Sequence, residues 1–243
     1  MRKLRFYFSM REILLLFGSV CLIVLSFFLC GGKNPLVLVA SLVGACSLLL
    51  NAKGNPIGQL LMIGFSVLYG MISYEYAYYG EMITYLGMTA PMALFSLIAW
   101  IRHPYQGKKS EVQVAKVRLW QWGLLFALTA LITGGGYKLL AALHTTNLFF
   151  STVSVATSFL AVALTFLRSA YYAIGYAAND LVLIVLWIFA MQSDSSYLSV
   201  VICFVVFFVN DLYGFFSWRA MCRRQNPDSL PQKDQKETIE PML

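Results

Sequence analysis

The sequence predicts an all-α integral membrane protein of eight spans, on three observations. Of its 243 residues 59% are hydrophobic and only 12% charged, where a soluble domain carries about 25% charged residues. The apolar residues form continuous Leu/Ile/Val/Phe-rich runs, unlike the alternating strands of a membrane β-barrel. Lysine and arginine gather between alternate runs.

A crossing needs about 20 apolar residues, and runs without central charges place spans at 13–30, 36–50, 57–77, 82–101, 120–135, 146–167, 171–191 and 197–218. The second and fifth runs are short for a hydrocarbon core of about 30 Å. The basic stretch before residue 13 resembles a signal peptide, but the apolar run is long and lacks a small-residue cleavage pattern. It reads as a retained anchor helix.

Orientation follows from the preference of Lys and Arg for the cytoplasmic side. With the N-terminus inside, 16 of the 18 basic residues fall in cytoplasmic segments, the exceptions being Lys33 and Lys138. The net charge of +7 is therefore accounted for by topology and calls for no nucleic acid. The expected location is a bacterial cytoplasmic membrane, multi-pass, with both termini cytoplasmic. The 102–118 segment is the longest internal loop, and the polar, proline-containing 223–243 tail is expected to be disordered.

Shifting the chain by 118 residues sets Tyr69 on Trp187 and Trp100 on Trp218. Four spans separate equivalent helices, so the halves share an orientation, as in a parallel repeat. The expected organisation is one membrane domain over 1–222, with a peripheral helix at 13–30, a three-helix repeat at 36–101, a connector at 120–135 and a second repeat at 146–218, a 3+1+3 bundle.

Asp180 and Asp211 lie inside spans, each after an asparagine. A carboxylate at a helix centre costs about 2.5–3.5 kcal/mol on insertion scales, so it should face a wet cavity or a partner. Tyr176, Asp180 and Trp187 share one helical stripe; Asn210 and Tyr213 lie on another, with Asp211 beside it. Aromatics beside amides and carboxylates suit a flat heterocycle carrying a hydroxylated sugar. Gln59, Ser66, Gly70 and Ser73 line one face of the third span, and Ser151, Ser154, Ser158 and Thr165 one face of the sixth. Such stripes more often pack helices than bind ligand.

Trp100 and Trp218, next to Arg102 and Arg219, read as interface anchors. Glu81, where a span begins, suits a helix N-terminus. Pro91 predicts a mid-span kink. The five cysteines and two histidines lack metal or redox spacing, and Gly134-Gly135-Gly136 lacks the Lys-Ser/Thr of a phosphate loop. These absences argue against an intramembrane enzyme, and no cofactor is expected.

Tyr79-Gly80-Glu81-Met82, Trp100, Thr157-Ser158-Phe159-Leu160-Ala161, Asn179-Asp180 with Trp187, and Asn210-Asp211-Leu212-Tyr213-Gly214-Phe215 through Trp218 resemble the PnuC-type nicotinamide riboside transporters. The resemblance implies a SWEET-related 3+1+3 core, facilitated diffusion with a cytoplasmic kinase trapping the substrate, and a homotrimer. It also implies that Gln59, Tyr69, Asn179, Trp187, Asn210 and Tyr213 hold the pyridine ring and ribose. With Tyr176, Asp180 and Asp211 these complete the candidate substrate-binding set. The fourth span, ending Met92-Ala93-Leu94-Phe95-Ser96-Leu97-Ile98-Ala99-Trp100, departs from the aromatic-rich ending of better-known members. Thiamine, riboflavin and deoxynucleosides therefore remain alternative substrates, and a substrate-capture subunit of an ATP-driven importer an alternative role.

Overall fold

A computed structural model describes residues 7–31, 34–75, 78–145, 147–192 and 195–226. Among the described residues eight helices are long and apolar enough to cross a membrane: α1 (Met10–Leu29), α2 (Pro35–Ala52), α3 (Pro56–Glu75), α4 (Tyr79–Arg102), α5 (Leu119–Ala142), α6 (Leu148–Phe166), α7 (Tyr172–Met191) and α8 (Leu198–Gln225). Their starts follow from local chemistry. Asn34 and Asn55 accept the N–H groups of Leu36 and Ile57 at 2.9 Å, just before Pro35 and Pro56, which lack a donor the first turn could not use.

Contacts divide the bundle. α3 packs on α2 and α4, α7 packs on α6 and α8, and α2–α8 and α4–α6 contacts join the two groups. α5 lies against α6, and α1 against α2 and α8. Glycine lets neighbouring helices approach closely at two places. A Cβ at Gly58 would stand 2.7 Å from the Asn51 nitrogen, and one at Gly175 2.8 Å from Cα of Ala161. The α2–α3 and α6–α7 contacts are thus set by main chain meeting main chain.

Several expectations change. α5 covers 24 residues, not 120–135. Gly134 to Gly136 stay helical because a lipid-facing backbone has no water to replace its own hydrogen bonds. The 102–118 loop contains an antiparallel hairpin of β1 (Pro104–Tyr105) and β2 (Lys108–Val112). Gln106 and Gly107, both at positive φ, make its tight turn. Val112 N donates to Gly54 O at 2.9 Å, fastening the hairpin under the α2–α3 turn. This side of the molecule is the hairpin end. α8 runs on to Gln225, so the expected tail begins later, and residues 227–243 lie outside the described ones.

The first helix starts before its apolar run and buries Glu12, Ser19 and Ser26. Ser9 and Glu12 form a capping box, Lys53 Nζ lies 2.9 Å from Glu12 Oε1, and Tyr213 donates to that oxygen at 3.2 Å. A polar seam invisible in 13–30 alone therefore ties α1 to the bundle.

Trp100 and Trp218 are fully buried and 5.3 Å apart between ring centroids, so neither is an interface anchor. Trp100 Nε1 donates across the bundle to Thr165 O at 3.0 Å, and Trp218 Nε1 to Asn51 O at 2.8 Å. A buried indole needs an acceptor for its N–H, and a main-chain carbonyl in the last turn of each facing helix, which also accepts a turn N–H from Arg168 or Gly54, supplies it through its second lone pair.

α4 is not a simple α-helix. Thr84–Thr89 form a π turn, closed by Ala90 N donating to Tyr85 O. Pro91 has no N–H to give one turn back, so the ladder accommodates one extra residue just before it.

Candidate functional site

Two apolar clusters fill the bundle, one at each end. Tyr69, Tyr85, Leu183, Trp187, Phe204 and Phe207 belong to the far cluster. Trp100, Tyr172, Ala173, Trp218 and Met221 belong to the cluster at the hairpin end. Along α7 and α8 the residues between them are polar: Tyr176, Asn179, Asp180 and Asp211. These four line one cavity with Ser158 of α6, Tyr85 and Thr89 of α4, and Phe65, Phe204 and Phe207.

The cavity is about 20 Å³, space for roughly one water-sized body, and aromatic rings crowd both sides, the lining Tyr176 lying 6.1 Å from Tyr172 and Tyr172 4.8 Å from Trp218 on the hairpin side. Phe65 meets Phe207 and Tyr85 edge to face at 5.6 and 5.8 Å, and Tyr85 lies 4.4 Å from Tyr69. This is a closed arrangement around the middle of the bundle.

Asp180 and Asp211 are 5% and 3% exposed. Their carboxyl groups are within hydrogen-bonding reach of each other, and Asp180 Oδ2 has no partner. No basic residue lines the cavity. Two carboxyl groups buried without a counter-cation favour any positive charge brought between them. The Asn179 amide is held by three hydroxyls of α6: Thr157 and Ser158 at 2.9 Å and Ser154 at 3.3 Å. The α6 stripe therefore orients a lining residue as well as packing helices.

The other candidate residues lie elsewhere. Tyr69 sits in the far plug, its hydroxyl accepting from Trp187 Nε1 at 2.9 Å. Trp187 lines a smaller cavity of about 10 Å³ nearer the far end, with Tyr78, Gly80, Glu81, Thr145, Ser151 and Leu186, room for one water at most. Gln59 is buried at the hairpin end and donates to Asn51 Oδ1 at 2.8 Å. Asn210 turns toward α1, donating to Ser19 Oγ at 2.9 Å, and Tyr213 toward Glu12. Asn210 and Asp211 are neighbours in sequence and about 100° apart around the helix, so only one can face the cavity.

A family model described as nicotinamide mononucleotide transporter matches residues 34–220, everything from the start of α2 almost to the end of α8. The chain belongs to this family. It is 24% identical over 200 residues to the nicotinamide riboside transporter PnuC of Neisseria mucosa, covering 79% of this chain and 76% of that one. A crystal structure of the vitamin B3 transporter PnuC superposes with a TM-score of 0.79 at 22% identity, covering 90% of this chain and 94% of that chain. The PnuC-type resemblance and the eight-helix membrane architecture are thereby borne out.

Within this transporter family member, sequence reasoning missed the aromatic wall of Phe65, Tyr85, Phe204 and Phe207, and also Thr89. Among 18 Phe and 14 Tyr, no spacing singles those four out. A signal for Tyr85 existed: it stands one turn from Glu81 and just ahead of Pro91, where a helix departs from regularity. Asn51 was also missed, though its side chain holds Gln59 and its carbonyl holds Trp218.

Proposed function

We propose that the chain is a uniporter carrying nicotinamide riboside by facilitated diffusion, with a cytoplasmic kinase trapping the substrate as its phosphate. One observation carries the reading: a closed cavity at mid-bundle where Asp180 and Asp211 meet no cation and face aromatic rings. A pyridinium ring brings the missing positive charge and a flat face, and its ribose hydroxyls match Asn179 and Tyr176. In this reading Gln59, Tyr69, Trp187, Asn210 and Tyr213 join during the transport cycle rather than in the closed form.

The two groups, α2–α4 and α6–α8, act as the halves of a parallel 3+1+3 repeat, α5 being the connector and α1 peripheral. The reciprocal bonds of Trp100 and Trp218 support this, as does the Trp187–Tyr69 bond joining residues 118 apart. Exchange of equivalent residues is what a two-fold axis between halves produces. Rocking of one half on the other would open the aromatic plugs alternately.

The hairpin end faces the cytoplasm in this reading, with both termini there. Lys53, Arg102, Lys108, Lys109, Lys116, Arg118, Arg168, Arg219 and Arg223 gather at that end, and Lys138 lies toward the other. A homotrimer in a bacterial cytoplasmic membrane completes the proposal.

Melting of detergent-purified protein with nicotinamide riboside, thiamine, riboflavin and deoxynucleosides tests the substrate, because a ligand raises stability by its occupancy of the native state. A shift with nicotinamide riboside alone is expected; a shift only with another compound reassigns the substrate. Uptake by protein-only liposomes without ATP tests the uniport, and a requirement for an ATPase partner overturns it.

A further inference from the structure

Glu81 is the buried carboxyl outside the main cavity that the proposed transport reading leaves unused. At the N-terminal turn of α4 it would be expected to lie in solvent near the positive end of the helix, but it is only 5% exposed and its Oε2 has no partner. It lines the far chamber with Tyr78 and Trp187. The Tyr78 and Trp187 rings meet edge to face at 5.0 Å, and Tyr197 lies 5.5 Å from Trp187. Because Trp187 points its Nε1 at Tyr69, its ring is held in a fixed plane. Burial, with a smaller contribution from Tyr197, pushes the Tyr78 phenol above its ordinary value, so its ring stays uncharged at neutral pH. Among the described residues no Arg or Lys is in the lining.

The chamber is also wired to the main cavity. Ser154 lies beside the Glu81 carboxyl and its hydroxyl donates to Asn179 Oδ1 at 3.3 Å, and Asn179 lines the cavity with Asp180. A carboxyl, two aromatic rings and a hydroxyl relay thus repeat, in a smaller space, the chemistry of the middle site.

We propose that Glu81 is a specificity-determining residue for positive charge, forming with Tyr78 and Trp187, when the far end opens and their rings part, a first station where a cationic aromatic ring is held before passing to Asp180 and Asp211. The inference rests on the reading that the carried substrate is a pyridinium riboside arriving from the far end. The station works by pairing the ring's charge with a desolvated carboxylate while aromatic faces cover it. An uncharged ring of the same size gains nothing from the carboxylate.

Liposome uptake of nicotinamide riboside and of its uncharged 1,4-dihydro form, by the full chain and its Glu81→Gln variant, tests it. Glu81→Gln is expected to raise the half-saturating concentration of the cation about tenfold and leave that of the neutral form within about twofold, with Glu81→Asp intermediate. An unchanged cation-to-neutral ratio overturns the proposal, whether both substrates are unaffected or both are lost equally, as a purely structural role would give. If Glu81→Gln does not fold, Tyr78→Leu reads the same ratio, expected to fall severalfold; no change overturns the proposal. If the unmodified chain takes up neither riboside, the transport reading fails and this inference with it. Uptake of both with unchanged ratios sinks the inference alone.

Discussion

Trp187 donates its indole N–H to the Tyr69 hydroxyl at 2.9 Å, joining two residues 118 positions apart in the chain. Trp100 and Trp218, separated by the same offset, touch at the opposite end of the bundle. These two contacts lie on the line where the α2–α4 and α6–α8 groups face each other, and the carboxyl-lined cavity lies between the two pairs. Substitutions along that line therefore read out either the cavity or the seams that close it.

Asp180→Asn keeps size and shape but removes the carboxylate's capacity for negative charge at a group whose Oδ2 has no partner among the described residues. Charge-assisted contacts are worth about 1.5–3 kcal/mol, so affinity for nicotinamide riboside is expected to fall about tenfold or more, as is that of Asp211→Asn. Titration of ligand-dependent melting checks both. Unchanged affinity in the two variants sinks the cavity assignment.

Trp218→Phe keeps an aromatic ring against Trp100 and Tyr172 while removing the indole hydrogen bond to the Asn51 carbonyl, which retains Gly54 N. The lost bond and the smaller ring are expected to cost about 1–3 kcal/mol of stability. Because the rings touch, Trp100→Phe and Trp218→Phe should combine non-additively. Denaturation of the single and double variants measures the coupling, and strict additivity contradicts a shared seam.

Gly175→Ala drives a methyl group to within 2.8 Å of the Ala161 main chain, whereas nothing lies within 4 Å of a Cβ at Gly134. The first change is expected to destabilise by about 1–3 kcal/mol through overpacking. The second should be neutral, or stabilising by up to about 1 kcal/mol from helix propensity. Melting of the two variants side by side decides, and equal effects contradict the close α6–α7 approach.

Lys53→Met leaves Glu12, whose side chain is 7% exposed, without its cation. Lys53 itself is 18% exposed, so the cost should fall between the ~1 kcal/mol of a surface pair and the ~3–5 kcal/mol of a fully buried one. Adding Glu12→Gln should restore most of it. Failure of that rescue means the pair does not hold α1.

The spans and the two aspartates were legible in the sequence because a bilayer penalises every misplaced charge, and a penalty of kilocalories leaves a mark on composition. Asp180 and Tyr176, placed on one stripe by their spacing, do line one cavity, joined there by Asp211 and Asn179, while Trp187 of the same stripe lies elsewhere. What lay hidden is decided by rotation and by partners. Asn210 and Asp211 looked like one motif, yet they face different neighbours. Trp beside Arg at a span end looks the same whether it faces headgroups or another Trp, so Trp100 and Trp218 gave no hint of their seam. Glu12 escaped notice because it sits just outside an apolar run, and its partner Lys53 is 41 residues away.

The extra residue in α4 sets the azimuth of everything after it. Glu81 and Trp100 are 19 positions apart, which in an unbroken α-helix would place them about 100° out of line. Absorbing one residue in the wide turn at Thr84–Thr89 leaves about five whole turns, and both side chains come to point inward. Removing a single residue there would swing Trp100 away from Trp218 without touching either tryptophan.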